Sequence, residues 1–165
     1  MTLIDQDLGE VRRTGETVEI VFRRHFAKPV EKLWAALTVP ERISDWFGTT
    51  QIEGEAIRIA FPEANYSFEG RIVANNPPRT FGWTWPNSDG THSIVRFDLE
   101  PDGEGCRLTL TQSGLAPKEG AGNAAGWHAH LAGLADAAEG VKTPWSKVIE
   151  VEQSVNAAYK ARAPA

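Results

Sequence analysis

Two histidines stand two positions apart beside a tryptophan in the stretch GWHAHLAGLADAAEG, residues 126–140. Closely spaced histidines can bind a metal ion or transfer protons. On an intact helix, however, residues two apart point about 200° from one another, so His128 and His130 cannot face a single metal ion. The spacing therefore argues against a metal site. It leaves His130, which borders the apolar side that contains Trp127, as the candidate pocket histidine.

His130 has two interpretations. It can be a hydrogen-bonded histidine at the edge of the core, or a general acid or base if a partner side chain is placed beside it. The sequence names no such partner, so we favour the first interpretation. The chain also contains no phosphate-binding glycine loop, serine elbow or paired-carboxylate spacing.

Arg24 is the other side chain whose position suggests chemistry. In VEIVFRRHF, alternation places it with Ile20, Phe22 and Phe26 on the face that should be buried. A buried guanidinium needs a partner, either a ligand carboxylate or an acidic side chain of the protein, unless it reaches out to solvent. We favour the two structural alternatives, because buried arginines are usually satisfied by their own protein.

The elements that position these side chains follow from periodicity. Strand patterns dominate residues 18–114, interrupted after the first strand by two short helices with Pro29 and Pro40 in their first turns. The later strands form an antiparallel meander, in which alternation puts Trp83 and Trp85 on one face.

Helical periodicity begins beyond Gly120. A stripe of apolar residues predicts one continuous helix that ends at Gly140. Its members are Trp127, Leu131, Leu134 and Ala138. A second, terminal helix is predicted at about residues 144–160. The small residues Gly126, Ala129 and Gly133 would let another element approach the first of these helices; the terminal helix is the first candidate and a second subunit, in a homodimer, is the alternative.

Length and composition limit the functions that are open. The 165 residues suffice for a single domain, residues 1–165, with a core at about 17–140. A net charge of -5 without a basic patch argues against a nucleic-acid partner. The single cysteine, Cys106, fits a reducing compartment, and neither an export signal nor a membrane-spanning apolar run occurs. The expected location is therefore cytoplasmic.

The order of elements is that of an α+β protein with a helix laid on one sheet face, and it resembles the START-like (SRPBCC, helix-grip) superfamily. Within it, the chain resembles the branch named after the C-terminal domain of the heat-shock-protein-90 ATPase activator. The segments that carry the resemblance are FAKPVEKLWAALTVPERISDWFG, FEGRIVANNPPRTFGWTW, HSIVRFDLEPDGEGCRLTLTQSG and GWHAHLAGLADAAEG. The resemblance implies a curved antiparallel sheet of six or seven strands around a long C-terminal helix, with a cavity that holds an apolar small molecule in many relatives.

The resemblance also indicates which side chains line that cavity. Aromatic residues dominate, as expected for a flat or apolar ligand, although large aromatic side chains also fill ordinary cores. The candidates are Arg24, Trp46, Phe47, Phe68, Trp83, Trp85, Phe97, Trp127, His130, Leu131 and Leu134. No catalytic residue, metal ligand or cofactor is assigned.

Three functions remain open at this point. The leading hypothesis is a non-enzymatic protein that binds a small apolar or aromatic molecule between sheet and helix. The first alternative, implied by relatives with this fold, is an enzyme of the polyketide cyclase, aromatase or hydrolase-like type, with His130, Arg24 and Asp45 as proton donor, anion anchor and base. The second alternative is a stress-response or chaperone-associated module, which would need an exposed apolar patch of several hundred Å² to bind a protein partner.

Overall fold

The structure is a computed structural model and describes residues 8–164. These residues form one antiparallel sheet of eight strands. The strands are β1 Glu10–Thr14, β2 Thr17–Phe26, β3 Thr49–Glu53, β4 Ala56–Phe61, β5 Tyr66–Asn76, β6 Thr80–Pro86, β7 His92–Asp102 and β8 Gly105–Leu115. Their spatial order is β1-β2-β8-β7-β6-β5-β4-β3, so that β2 pairs with β8 and the meander runs from β3 to β8.

The helices lie on one side of this sheet, before and after the meander. They are α1 Val30–Thr38, α2 Pro40–Trp46, α3 Gly120–Leu131, α4 Leu134–Ala137 and α5 Trp145–Arg162, with 3₁₀ turns at Pro62–Ala64 and Pro117–Glu119. α2 begins at Pro40, as the sequence predicts, whereas Pro29 directly precedes α1 instead of lying in its first turn. Proline suits the start of α2 because its fixed φ matches the first helical turn.

The strands bury the residues that alternation assigns to the inner face. On β2, Val18, Ile20 and Phe22 are almost completely buried. The β7–β8 hairpin turns at Gly103, whose φ of 63° is a conformation that glycine adopts at no steric cost. The predicted α+β helix-grip plan with an antiparallel meander is therefore confirmed.

The predicted number of strands, six or seven, is too low. The strands that the sequence patterns do not mark are β1 and β3, which form the two edges of the sheet. β1 half-buries only Val11, whereas β3 buries Thr50 and half-buries Ile52. Strands that bury so few side chains show no alternation strong enough to be recognised.

The prediction of one continuous helix up to Gly140 is wrong. α3 ends at Leu131, α4 starts at Leu134, and Gly133 lies at the break. Thr143 packs so closely on this position that a Cβ at Gly133 would lie 2.2 Å from its Oγ1. The chain after α4 thus turns back across the break, and the longest helix of the described residues is α5 instead.

The terminal helix α5 packs on α3, as the small residues of α3 suggest. Glu152 of α5 lies over Gly126, where a Cβ would be 3.6 Å from its Oε2. Farther along, Tyr159 is completely buried, and its hydroxyl lies 2.8 Å from His128 Nδ1. His128 therefore faces α5, on the flank opposite the pocket, as the helical spacing predicts.

Candidate ligand-binding cleft

Aromatic rings fill the centre of the space between sheet and helices. Phe47, at the end of α2, stacks on Trp127 of α3 with ring centroids 4.8 Å apart. Trp46, Trp83 and Phe97 surround this pair at centroid distances of 6.0 to 6.4 Å from Trp127. This part of the predicted cavity is therefore packed core, in which rings of the protein contact one another.

A buried chain of hydrogen bonds fixes Trp127 and the backbone of Trp85, both of which border the remaining open space. Trp127 Nε1 donates to Gln112 Oε1 over 2.8 Å, and Gln112 Nε2 donates to Ser93 Oγ over 2.9 Å. Ser93 Oγ in turn donates to the backbone carbonyl of Trp85 over 3.2 Å. Because Gln112 and Ser93 are almost inaccessible to water, losing one of these bonds would leave buried groups unpaired. The chain therefore holds Trp127 and the backbone of Trp85 in place.

An open cavity of about 220 Å³ lies beside this packed centre, between α3, α5 and the start of β5. We call it the aromatic cleft. Its walls are formed by Phe61, Tyr66, Trp85, Trp127, His130, Trp145 and Glu152, with Asn123 at the border. Gly122 and Gly126 of α3 also line it. These two glycines contribute no side chain, which leaves the space open.

A second cavity of about 550 Å³ adjoins the aromatic cleft and shares Tyr66, Trp85 and Asn123 with it. We call it the side pocket. Phe68 stacks on Trp85 inside it, with ring centroids 4.6 Å apart, and Trp85 Nε1 donates a 3.0 Å hydrogen bond to the Tyr66 hydroxyl. Trp85 thus separates the two cavities with an indole that is held on both its ring face and its N–H.

His130 is the buried histidine of the aromatic cleft. Its Nδ1 lies 3.2 Å from the backbone oxygen of Trp46, and because a carbonyl can only accept, Nδ1 carries the proton. Phe47, Phe61 and Trp145 surround the imidazole at centroid distances of 4.9, 5.7 and 6.1 Å. Burial in these apolar surroundings lowers the pKa of His130 from 6.5 to about 4. The ring is therefore neutral at pH 7, with Nε2 as a hydrogen-bond acceptor.

Glu152 reaches the same cleft from α5. Burial raises the pKa of its carboxyl group above the ordinary value, since the charged form loses contact with water. Within residues 8–164 its carboxylate makes neither a hydrogen bond nor an ion pair. Among the polar side chains of the aromatic cleft, His130 and Glu152 therefore still offer hydrogen-bond acceptors.

The structure divides the predicted cavity residues, Arg24 apart, into three groups. The aromatic cleft and the side pocket are lined by Phe68, Trp85, Trp127 and His130. A smaller cavity of about 170 Å³ beside the end of α2 is lined by Trp46 and Phe47. The packed core contains Trp83, Phe97, Leu131 and Leu134.

Arg24 is less buried than its place on the inner face predicts, and the favoured alternative in which the side chain reaches out to solvent fits the structure. It shares a face with Phe22, as alternation requires, and its guanidinium carbon lies 5.2 Å from the centroid of that ring. The side chain is only half-buried, however, and it donates to the backbone carbonyl of Arg23 over 3.1 Å. Its long stem lets the charged group lie on the ring and still reach solvent. Arg24 lines none of the three cavities described above.

The three residues of the enzymatic alternative do not line one common cavity. His130 lines the aromatic cleft, Asp45 lines the smaller cavity, and Arg24 lines neither. The hydrogen bond of His130 goes to a backbone carbonyl, so no carboxylate orients its ring. The geometry gives this alternative no support.

Sequence reasoning misses several residues of the two cavities, among them Phe61, Tyr66, Asn123, Trp145 and Glu152. Two signals could have found some of them. Phe61 continues the alternation of Ile57 and Ile59 on β4, and both of these are buried. Trp145 and Glu152 are seven residues apart, or two turns, and so share one face of α5.

Two observations bear on metals and membranes. Among residues 8–164, no three His, Cys, Asp or Glu side chains form a group that could hold a metal ion. No helix in the same range has both the length and the apolar character needed to cross a membrane.

Comparison with known proteins identifies a family. Residues 27–139 match the family model described as Activator of Hsp90 ATPase homolog 1-like protein. This range includes most of the sheet, both helices before the meander, and α3 and α4. No curated protein is significantly similar to the chain.

Solved structures share the fold. The crystal structure of CalU16 from Micromonospora echinospora matches with a TM-score of 0.71 at 24% identity, covering 94% of this chain and 95% of that one. The protein encoded by gene BPP1335 of Bordetella parapertussis matches with a TM-score of 0.68 at 26% identity, covering 94% and 91%. DynU16, from the dynemicin biosynthetic locus, matches with a TM-score of 0.64 at 24% identity, covering 73% of this chain and 47% of its own.

Proposed function

The chain belongs to the family of Activator of Hsp90 ATPase homolog 1-like proteins, and on that premise we propose that it binds a small apolar or aromatic molecule in the aromatic cleft. The observation that carries the proposal is an open space whose walls are aromatic rings, beside the packed centre around Phe47 and Trp127. Concave sites with apolar walls and a few polar groups are the usual form of small-molecule sites.

The walls of the cleft are already held in place, which favours binding. Trp127 is fixed by its stack on Phe47 and its hydrogen bond to Gln112, and Trp85 is fixed by Phe68 and Tyr66. A ligand that enters between rings held in this way has to order little of the protein, so less of the interaction energy is lost. The adjoining side pocket gives room for a ligand that extends past Trp85.

A protein-interaction module has less support. The large apolar side chains that are exposed belong to different parts of the described chain: Val39, Tyr66, Val73, Ile94 and Val141. A docking surface for a protein would instead expose apolar side chains as one contiguous patch.

A cytoplasmic location and a homodimer stay predictions. The location is consistent with the single cysteine, Cys106, which is buried in β8. Sedimentation of the purified protein measures the oligomeric state.

The proposal is tested by filling the cleft from one of its own glycines. In Gly126→Leu the new side chain starts at a Cβ that meets only the end of the Glu152 side chain, at 3.6 Å, and extends into the cleft. We expect the affinity for 2-naphthol, used as an aromatic probe in calorimetric titration, to fall by about tenfold or more. A native mass spectrum of gently purified protein tests for a ligand that is already bound.

Ala157→Leu is the matched control, because it adds apolar bulk at an exposed position of α5, away from the cleft. It should bind the probe as the wild type does. Thermal unfolding of both variants verifies that they are folded. If the wild type binds no aromatic probe, or if Gly126→Leu binds it unchanged, the proposed function is wrong.

A further inference from the structure

The hydrogen bond of His130 determines which kind of ligand group can bind beside this side chain in the aromatic cleft. Its Nδ1 proton is committed to the backbone oxygen of Trp46. A neutral imidazole has one donor and one acceptor nitrogen, so the remaining nitrogen, Nε2, offers a lone pair and no proton. Within residues 8–164 no group donates a hydrogen bond to Nε2.

The ring cannot easily exchange these roles. Turning the imidazole over would take Nδ1 away from the Trp46 carbonyl and leave that buried oxygen unpaired. The neighbouring rings of Phe47, Phe61 and Trp145 pack on the imidazole, and their faces and C–H edges cannot replace a carbonyl acceptor. The acceptor on Nε2 is therefore a fixed property of the cleft.

Glu152 adds a second acceptor to the cleft. Its carboxylate lies beside Gly126, one helical turn before His130 on α3, and no cation of the described residues neutralises it. A negatively charged ligand group would meet this carboxylate across an apolar space, where the repulsion between like charges is poorly screened. A group that donates a hydrogen bond would instead find acceptors on both sides of the cleft.

We propose that the aromatic cleft selects an uncharged aromatic ring that carries a hydrogen-bond donor, such as a phenolic hydroxyl, and that this group donates to Nε2 of His130. The inference rests on the proposed function and names the class of ligand. It excludes aromatic carboxylates, which Arg24 would have held had it lain in the cleft.

The test compares three probes that share one ring system. These are 2-naphthol, which donates a hydrogen bond; 2-methoxynaphthalene, in which a methyl group replaces the proton; and 2-naphthoate, which is an anion. We expect calorimetric titration of the full-length protein at neutral pH to give 2-naphthol an affinity about tenfold above that of 2-methoxynaphthalene. 2-Naphthoate should bind most weakly.

Two variants assign the preference to residues. His130→Phe keeps an aromatic ring in place but removes the acceptor, so 2-naphthol and 2-methoxynaphthalene should bind it equally. His128→Phe is the matched control, because this histidine lies on the same helix but faces Tyr159 on α5. The His128→Phe variant should still bind 2-naphthol more tightly than 2-methoxynaphthalene. If His130→Phe fails to fold, Glu152→Gln serves as a second test. Loss of the carboxylate charge should raise the affinity for 2-naphthoate by about tenfold.

The outcomes separate this inference from the function on which it rests. Equal affinities of the three probes for the wild type would overturn the donor preference and leave ligand binding in the cleft intact. A preference for 2-naphthol that survives in His130→Phe would remove His130 from the assignment. Absence of binding by all three probes would contradict the proposed function itself.

Discussion

The charge of His130 follows from the rings that surround it. A protonated imidazole in this position would lose its contact with water and would have no carboxylate hydrogen-bonded to it. In the unfolded chain the same side chain titrates near its ordinary value of 6.5, whereas in the folded protein its pKa is about 4. Between these two values, acid protonates the unfolded chain before it protonates the folded one.

We therefore expect His130 to make the protein less stable as the pH falls. The free energy of unfolding should decrease between about pH 6.5 and pH 4, because the unfolded chain binds a proton that the folded chain does not. The full contribution is roughly 3 kcal/mol. His130→Phe lacks this contribution, so the stability difference between variant and wild type should change by about that amount across the range. Chemical denaturation at several pH values measures both proteins.

In the stability difference between His130→Phe and the wild type, the contributions of the other titrating groups cancel. Glu139, whose pKa is lowered by hydrogen bonds from Lys28 and Lys32, also makes the protein less stable as the pH falls. Glu152 acts in the opposite direction, because its pKa is raised by burial and its protonation favours the folded state. Both residues are present in wild type and variant. Stability curves that run parallel from neutral to acid pH would contradict a neutral, buried His130.

Single-residue predictions from the sequence succeed where one periodicity decides them. Helical geometry predicts His130 on the pocket side and His128 on the opposite flank, and in the structure His130 lines the aromatic cleft whereas His128 faces Tyr159. For Arg24, alternation gives the correct face of the strand but not the distance to the end of the sheet, so it could not decide how deeply the side chain is buried. Glu152 is missed because its place in the cleft depends on how α5 packs on α3. No pattern within either helix predicts that packing.

At the scale of elements, a glycine inside α3 and the glycine at the break after α3 have very different surroundings. Gly122 has no neighbour within 4 Å of an added Cβ, whereas at Gly133 the Thr143 side chain occupies that position. The first glycine leaves space in the cleft, and the second lets the chain cross the break between α3 and α4.

Alanine at these two positions should have opposite effects on stability. We expect Gly122→Ala to raise the free energy of unfolding by about 0.5–1 kcal/mol, because alanine loses less backbone entropy in a helix. Gly133→Ala should lower it by about 1–3 kcal/mol, since its Cβ collides with Thr143. Chemical denaturation followed by tryptophan fluorescence measures both variants.

A second substitution tests the cause assigned to Gly133. Thr143→Ala removes Oγ1, the atom nearest to the added Cβ. In the Gly133→Ala background it should recover part of the lost stability, and in the wild type it should not raise stability. Strictly additive effects would show that the contact with Thr143 is not the source of the loss.

The sequence predicts the elements with strong periodicity better than those without it. β2, α1 and α2 are found where alternation and proline place them, whereas the edge strands β1 and β3 bury too little to leave a pattern. The break at Gly133 is missed because the stripe of apolar residues continues through it: Leu134 is buried in α4 as it would be in an uninterrupted helix. Periodicity therefore reports which residues face the core, even where it misplaces the end of a helix.

At the scale of the whole molecule, one side chain joins three distant parts of the chain. The Tyr159 hydroxyl accepts a 2.8 Å hydrogen bond from the backbone N–H of Gly9, just before β1, and shares a 2.8 Å hydrogen bond with His128 Nδ1 on α3. Tyr159 itself belongs to α5 and is completely buried. The start of the described chain, the α3 helix and the terminal helix therefore meet at this residue.

Removing this hydroxyl should weaken the whole fold. We expect Tyr159→Phe to lower the free energy of unfolding by about 1–3 kcal/mol, because the buried N–H of Gly9 loses its acceptor. Tyr66→Phe is the control: its hydroxyl also accepts a hydrogen bond, from Trp85, but the side chain is 44% exposed, so water can replace it. Equal losses in the two variants would contradict the importance of the Tyr159 junction. Chemical denaturation of both variants gives the comparison.

The overall plan could be predicted from the sequence, whereas the position of the open space could not. The order of elements and the resemblance lead to the correct fold, and alternation places Trp83 and Phe97 inside. Whether an inward-facing ring borders a cavity or fills it depends on rings from other elements, such as Phe47, which stacks on Trp127 and closes the centre. Packing of this kind is settled only in three dimensions.

The walls of the aromatic cleft have two different origins in the chain. Tyr66, Trp85 and His130 come from residues 27–139, the range shared with the family, whereas Trp145 and Glu152 follow that range on α5. Substitutions on the side of this last helix that faces the cleft would therefore change its walls while the inherited sheet keeps its packing. During divergence from its relatives, the protein could acquire a new preference through its terminal helix alone.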